Sequence, residues 1–149
     1  MDTPKDISTL YRKMNINMNV LLAPIGLSSA KSMFLFCIYD HQQMSQAEIC
    51  RELDMDKSTV AKMLVRLEKD HLVTKAVNPA DSRSFIVTLT EKAISRIPQA
   101  KRIQENWLNT VSNDLTELEK RNFYELLEKV ASAANKSMTT NIPPVHSPE

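Results

Sequence analysis

The sequence predicts a mainly α-helical fold with one small β-hairpin, and three observations support this prediction. Apolar residues recur at three- and four-residue steps near both ends of the chain, which is typical of amphipathic helices. Two shorter helices with clear N-terminal signals lie between them. Two segments rich in β-branched residues follow those helices. For 149 residues we expect one domain, or two lobes that share a core.

The N-terminal part of the chain predicts two helices. An apolar stripe covers about residues 5–22, and Gly26 lies just beyond the end of that helix. Ser28 or the serine after it can cap the second helix, which contains the uninterrupted apolar run 33–39 and ends near His41. Because this run has no polar side, we expect the second helix to be buried all round.

The central part predicts a helix, a turn and a second helix. Ser45 and Glu48 form a capping box at the start of a short helix, and Asp56 caps a helix that runs to about His71. The turn between them requires a residue that tolerates a positive φ. Asp54 can take that position, although glycine is the usual choice.

The segments 72–77 and 85–89 predict two strands. The polar segment 78–84 between them contains Pro, Asn and Asp, so we expect a seven-residue loop at the tip of a hairpin. The order of helix, turn, helix and hairpin is that of a winged helix, in which the hairpin is the wing.

The C-terminal part predicts two more helices. Thr90 caps the first, and Pro98 should kink or break it. Thr116 opens a second capping box and a helix that runs to about Met138. The tail 139–149 contains three prolines, and we expect it to be disordered.

The composition excludes several classes of enzyme. The chain has one glycine, whereas the Rossmann fingerprint, the P-loop, the nucleophile elbow and the kinase glycine-rich loop each need at least two. The two cysteines and three histidines do not show the spacing of a metal site. We therefore expect no catalytic residue, no metal and no cofactor.

Lone thiols and the lack of a signal peptide favour a reducing cytoplasm. No segment is apolar enough to predict a membrane span, so we expect no membrane partner. We interpret Cys37 and Cys50 as small core residues, while a redox-sensing role for either stays open.

The helix that begins after Asp56 is amphipathic, and its polar face suits the major groove of DNA. Short hydroxyls and long cations lie near its N-terminus, the end that a recognition helix presents to base edges. Lys62 could donate to guanine O6 and N7, and Arg66 would meet the backbone. The candidate major-groove residues are Lys57, Ser58, Thr59, Lys62 and Arg66. The alternative is an ordinary solvated helix face.

The hairpin tip carries Arg83, whose guanidinium could enter a narrow minor groove. Ser82 and Ser84 flank it and are further candidate contacts. Asp81 has the wrong sign for DNA, so we expect it to orient Arg83 through a bidentate ion pair. The alternative is an ordinary turn salt bridge of little energy.

Charge is balanced across residues 44–90, which contain seven cations and seven anions. DNA binding therefore requires the acidic side chains to face away from the DNA. A second subunit would double the basic patch, which is one physical reason to expect a dimer.

The segments MSQAEICRELDMDKSTVAKMLVRLEKDHLV and NPADSRSFIVTLTEKA resemble the MarR family of winged-helix transcriptional regulators. The resemblance implies a homodimer that binds pseudo-palindromic double-stranded DNA. It also implies repression of a nearby promoter and release by a small, often aromatic, molecule. By match of motif, Lys62 falls at a major-groove position and Arg83 at the wing arginine.

This sequence departs from the family pattern at four positions. Asp54 and His71 stand where glycine is common, and Ala93 replaces a glycine after the wing. Ala61 replaces a frequent threonine or serine on the reading face, which affects the operator sequence. A winged-helix module that binds another protein and has lost DNA binding therefore stays an alternative.

The resemblance also assigns the long terminal helices to a two-fold dimer interface, because a winged-helix lobe alone would leave their apolar stripes exposed. The resulting division is an N-terminal dimerisation helix in 1–27, a DNA-binding lobe in 28–90, C-terminal dimerisation helices in 91–138 and the tail. An effector pocket would lie between the two kinds of lobe. Candidate lining residues, each of a type that is more often simply core, are Tyr11, Met14, Phe36, Tyr39 and Trp107.

Overall fold

The computed structural model describes residues 1–137, so the predicted disordered tail lies outside the described residues. Residues up to Asn106 form one compact unit, and the chain from Trp107 onward forms a second. The elements are α1 (Thr3–Leu22), α2 (Ser29–His41), β1 (Gln43–Ser45), α3 (Gln46–Leu53), α4 (Lys57–Lys69), β2 (Val73–Asn78), β3 (Asp81–Leu89), α5 (Glu91–Val111) and α6 (Glu117–Ser137). This is the mainly α-helical, winged helix-turn-helix architecture that the sequence predicts.

The helices begin where the capping residues predict. The Oγ atom of Ser45 accepts the N–H of Glu48 at 3.3 Å, and Glu48 Oε2 accepts the N–H of Ser45 at 2.6 Å. The Ser45 hydroxyl also donates to Glu48 Oε2, at 2.9 Å. The Ser45 N–H, followed by this hydroxyl, holds the pKa of the Glu48 carboxyl below its ordinary value, because both bonds favour the charged form. Thr116 and Glu119 form the same reciprocal box at the start of α6. Thr90 caps α5 through the N–H of Ala93.

Non-glycine residues with positive φ end two of the central elements. Asp54 has a φ of 50° between α3 and α4, as the turn requires. His71 has a φ of 58° just after α4, where the family pattern often has glycine. Both departures from glycine are therefore compatible with the backbone that the turn geometry demands.

The sheet has three antiparallel strands in the order β1-β3-β2. Met44 pairs with Val87, and Thr74 pairs with Thr88, where the two hydroxyl oxygens lie 2.8 Å apart. The sequence prediction missed β1, because three residues are too few to show an alternating pattern.

The predicted seven-residue loop at the wing tip is wrong. β2 continues to Asn78 and β3 begins at Asp81, so only Pro79 and Ala80 lie between the strands. A register shift at Val77/Asn78 absorbs the extra residues of β3. Asn78 Oδ1 accepts the N–H of Ala80 at 3.0 Å, which stabilises the tight turn.

The core of the first unit lies between the helices and the sheet. Its largest fully buried side chains are Phe34, Met18, Leu22, Leu35, Ile38, Ile49, Leu64, Leu67, Leu72, Val60, Val73 and Val87. The prediction that α2 is buried all round is wrong, because Met33 and Tyr39 are 37% and 43% exposed. One side of α2 packs on the other elements, and its opposite side remains at the surface.

α5 continues through Pro98, so the predicted break at this residue does not occur. Proline removes one backbone hydrogen bond from a helix. The buried side chains of Ile97 and Ala100 anchor α5 on both sides of Pro98.

In the second unit, Ser112 Oγ donates to the carbonyl oxygen of Leu108 at 2.7 Å.

Across residues 1–137, no single helix combines the length and apolarity of a membrane span. The segments Thr3–Ile25 and Ser29–His41 reach that length and apolarity only together, across a 75° bend.

Candidate nucleic-acid interface

The two faces of α4 separate as the sequence predicts. Val60, Leu64 and Leu67 are buried against the core of the first unit. Ser58 and Lys62 are exposed opposite this buried line, Thr59 and Arg66 are exposed on one flank of the helix, and Lys57 is exposed on the other flank at the first turn. Ala61 is half-buried at the edge between the two faces. The predicted major-groove residues are all exposed, but they do not share one face, because nine residues separate Lys57 from Arg66 and place them on opposite flanks of α4.

Thr59 differs from the other four residues because it is part of the helix cap. Its N–H and its hydroxyl both donate to the Asp56 carboxylate, at 2.9 Å and 2.7 Å. These bonds, with the hydroxyl contributing most, hold the pKa of Asp56 below its ordinary value. Thr59 therefore helps to fix the start of α4, and its hydroxyl hydrogen is already committed.

Val65 lies at the centre of the exposed face and was not among the predicted site residues. The steps from Ser58 to Lys62, Val65 and Lys69 are four, seven and eleven residues, which place all four side chains on one helical line. Val65 is 59% exposed. The spacing of Val65 in the sequence could have identified it, because the line that contains Val65 runs opposite the line of buried residues on α4.

The wing differs from the prediction in how Asp81 acts on Arg83. Asp81 Oδ1 accepts the backbone N–H of Arg83 at 3.0 Å. Within residues 1–137 the predicted ion pair between the Asp81 carboxylate and the Arg83 guanidinium is absent. Asp81 thus fixes the backbone beneath Arg83 and leaves the guanidinium exposed in β3.

The two serines beside Arg83 differ in their surroundings. Ser82 is exposed. Ser84 is half-buried, where its hydroxyl accepts from Asn78 Nδ2 at 3.1 Å and donates to the carbonyl oxygen of Asp81 at 3.1 Å. Ser84 therefore stabilises the bulged end of the hairpin.

Four of the seven acidic residues of the segment 44–90 take part in helix caps or ion pairs. Glu48 and Asp56 are occupied as helix caps, while Glu68 and Asp70 pair with Lys75 and with Lys31 outside the segment. Among the ion pairs within residues 1–137, Lys75 is the only one of the seven cations to take part. The cations without an ion pair there are Arg51, Lys57, Lys62, Arg66, Lys69 and Arg83.

A cleft of about 620 Å³ separates α3 and the start of α4 from the wing. α3 contributes Arg51 and Cys50 to its lining, and α4 contributes its first residue, Lys57. We call it the wing cleft; the full lining is Gln46, Ala47, Cys50, Arg51, Lys57, Asp81, Arg83, Ser84 and Phe85. Arg51 was not a predicted site residue, because its place in the cleft depends on packing between elements.

The five candidates for an effector pocket do not line the wing cleft. Phe36 and Tyr39 lie together under the Lys101 ammonium, which is 5.8 Å and 5.3 Å from the two ring centroids. Tyr11 is exposed and Met14 half-buried on α1, and Trp107 belongs to the second unit.

The two cysteines have different environments. Burial, followed by the nearby Glu52 and Asp40 charges, raises the pKa of the Cys37 thiol to about 11. Its Sγ atom lies 3.6 Å from the Met44 sulfur. Cys50 is half-buried at the wing cleft.

Within residues 1–137, no group of three His, Cys, Asp or Glu side chains could hold a metal ion.

Comparisons with known proteins relate the chain to HTH-type transcriptional regulators. Residues 27–85 match the model of the MarR family. The HTH-type transcriptional regulator BilQ of Clostridioides difficile (strain CD3) is 25% identical over 124 residues, covering 83% of this chain and 84% of that protein. The HTH-type transcriptional repressor IacR of Pseudomonas putida is 25% identical over 124 residues, covering 83% of this chain and 74% of that protein.

The fold comparison gives the same result. The crystal structure of a MarR transcriptional regulator from Methanosarcina mazei Go1 has a TM-score of 0.85 and 28% identity, covering 90% of this chain and 96% of that chain. Sequence match, curated relatives and fold point the same way: residues 27–85 match the MarR family, and the chain is similar over most of its length to HTH-type transcriptional regulators with the same winged helix-turn-helix fold.

Proposed function

We propose that this protein is a homodimeric, sequence-specific regulator that binds double-stranded DNA at a pseudo-palindromic operator and acts by binding rather than by catalysis. One observation carries the proposal. The exposed face of α4 and the wing belong to the same unit and hold cations that have no ion pair within residues 1–137. DNA phosphates and base acceptors are the anionic and polar partners that such a surface binds.

In this proposal α4 enters the major groove and the wing enters the minor groove. Lys62 donates to a guanine, while Ser58 contacts a base edge and Arg66 contacts the backbone. Arg83 enters the minor groove from the wing, beside Ser82. Thr59 and Ser84 support these contacts through the helix cap and the hairpin.

A second copy of the chain covers the apolar faces of the terminal helices. α1 exposes Ile7, Val20 and Leu21, and α6 exposes Leu126 and Val130. Apolar faces of this kind are typical of protein interfaces. A two-fold dimer would bury the same faces on both copies and present two α4 helices to the two half-sites.

Repression of a nearby promoter, with release by a small aromatic or otherwise hydrophobic effector, is the regulatory outcome that we infer. The description of IacR as a repressor supports the first part, and the resemblance to the family supports the second.

A double substitution separates this proposal from a protein-binding module. Lys62→Ala with Arg83→Ala removes one major-groove and one minor-groove cation from exposed positions, so the dimer should remain. We expect the variant to lose operator binding in a fluorescence anisotropy titration. Unchanged DNA affinity in a folded, dimeric double variant would favour the alternative, a winged-helix module that binds another protein.

A further inference from the structure

The wing cleft lies between the two elements that the proposed function places in neighbouring grooves. Lys57, at one wall, is the first residue of α4, and Arg83, at the other, belongs to the wing strand β3. The major and minor grooves of a duplex are separated by one sugar–phosphate strand. A duplex that receives α4 in one groove and the wing in the next must pass that strand between them.

The walls of the wing cleft are held by hydrogen bonds. Gln46 Nε2 donates to the carbonyl oxygen of Lys57 at 3.2 Å and joins α3 to the start of α4. On the opposite wall, Asp81 Oδ1 accepts the N–H of Arg83 at 3.0 Å. The two bonds fix the backbone beneath two of the cations that line the cleft.

The chemistry of the lining suits an anionic strand. Arg51, Lys57 and Arg83 line the cleft, and none of them forms an ion pair within residues 1–137. Asp81 is the one carboxylate of the lining, and one of its oxygens already accepts a backbone N–H. The lining therefore contains three cations without an ion pair and one carboxylate, one oxygen of which already accepts a hydrogen bond.

We propose that the wing cleft binds the phosphodiester strand that separates the two grooves, with Arg51 of α3 as a phosphate contact. This inference rests on the proposed function and adds a third point of attachment to it. Because phosphates are present at every base pair, the Arg51 contact contributes affinity without sequence preference.

The first test measures the salt dependence of DNA binding by the full-length Arg51→Ala variant. Each neutralised phosphate contributes about −0.9 to the slope of log K against log salt concentration, so two clefts in a dimer contribute about −1.8. We expect a slope shallower by about that amount and affinity roughly tenfold weaker on operator and random duplexes alike. Arg102→Ala, which removes an exposed cation of α5 outside the cleft, is the matched control; after size-exclusion chromatography has shown that this variant has the same oligomeric state as the wild type, it should leave the slope unchanged.

The second test uses the cleft cysteine as a probe. DNA should slow the alkylation of Cys50 by N-ethylmaleimide, measured by mass spectrometry. An operator with single methylphosphonate substitutions should contain one position per half-site that weakens the wild type but not Arg51→Ala.

Three results would overturn the inference. They are an unchanged salt slope in Arg51→Ala, Cys50 alkylation that DNA does not slow even where millimolar inorganic phosphate does, and methylphosphonate effects that are the same in the wild type and in Arg51→Ala. Each result is interpreted only after the wild-type protein has been shown to bind the operator. A result that contradicts the Arg51 contact is thereby distinguished from one that contradicts the proposed function.

Discussion

The Asp81 carboxylate accepts the backbone N–H of Arg83 at 3.0 Å, and the Arg83 guanidinium forms no ion pair within residues 1–137. An acid in the wing is therefore compatible with the proposed DNA contact, because its hydrogen bond shapes the backbone. The Arg83 guanidinium therefore keeps its full charge available for the proposed minor-groove contact.

Two substitutions at Asp81 distinguish the backbone bond from charge pairing. Asp81→Asn keeps a side-chain oxygen that can accept the Arg83 N–H and removes the negative charge from the wing. We expect Asp81→Asn to bind the operator as tightly as the wild type or up to several-fold tighter, and Asp81→Ala to bind more weakly. Equal weakening in both, measured by anisotropy at constant salt, would show that the charge itself is needed.

We expect Lys62 to contribute to the sequence preference of DNA binding. We do not expect this of Lys69, which lies on the same line of α4 about two turns after Lys62. Lys62→Ala should cost about 1–3 kcal/mol of binding and relax the preference at one base pair of each half-site. Lys69→Ala serves as the control, with a uniform and smaller loss. Binding to a panel of single-base operator variants gives both quantities. The same preference profile in wild type and Lys62→Ala would contradict a base contact by Lys62.

Val65 should contact an apolar group of the DNA, because it lies between Lys62 and Lys69 on the exposed face. The apolar group of the major groove is the thymine C5-methyl. Replacing each thymine by deoxyuridine in turn should weaken binding at one position per half-site. That effect should disappear in Val65→Ser. If no thymine position depends on Val65, the side chain is an ordinary exposed valine.

The capping box predicts a pH dependence of stability. The pKa of Glu48 is lowered by its bonds to the Ser45 N–H and hydroxyl, so its contribution is present above the ordinary pKa of 4.5 and is lost as the pH falls through the lower folded value. Because the Glu48 carboxylate is exposed and screened by solvent, Glu48→Gln should lower the free energy of unfolding at pH 7 by only about 0.3–0.5 kcal/mol, and the gap to the wild type should narrow by pH 3.5. Urea unfolding at both pH values measures this. A constant gap would contradict the assignment.

Local signals in the sequence were sufficient to predict most helix starts. Ser45, Asp56, Thr90 and Thr116 each cap the predicted helix, because a cap depends on residues within one turn of the chain. Asp54 was correctly expected to take a positive φ for the same reason.

Features that depend on pairing between distant segments were not predicted. β1 forms only because Met44 meets Val87, and the polar start of β3 is a strand only because it pairs with β2. The wing cleft and the role of Arg51 depend in the same way on how α3 packs beside the wing. Sequence patterns report periodicity along one element, and they carry little information about which elements meet.

The most direct test of the central claim is selection of bound duplexes from a random pool by the purified protein at two salt concentrations. We predict recovery of an inverted repeat with half-sites about one helical turn apart, bound less tightly at the higher salt concentration. Recovery of no shared sequence at either salt concentration would contradict sequence-specific DNA binding by the ligand-free protein.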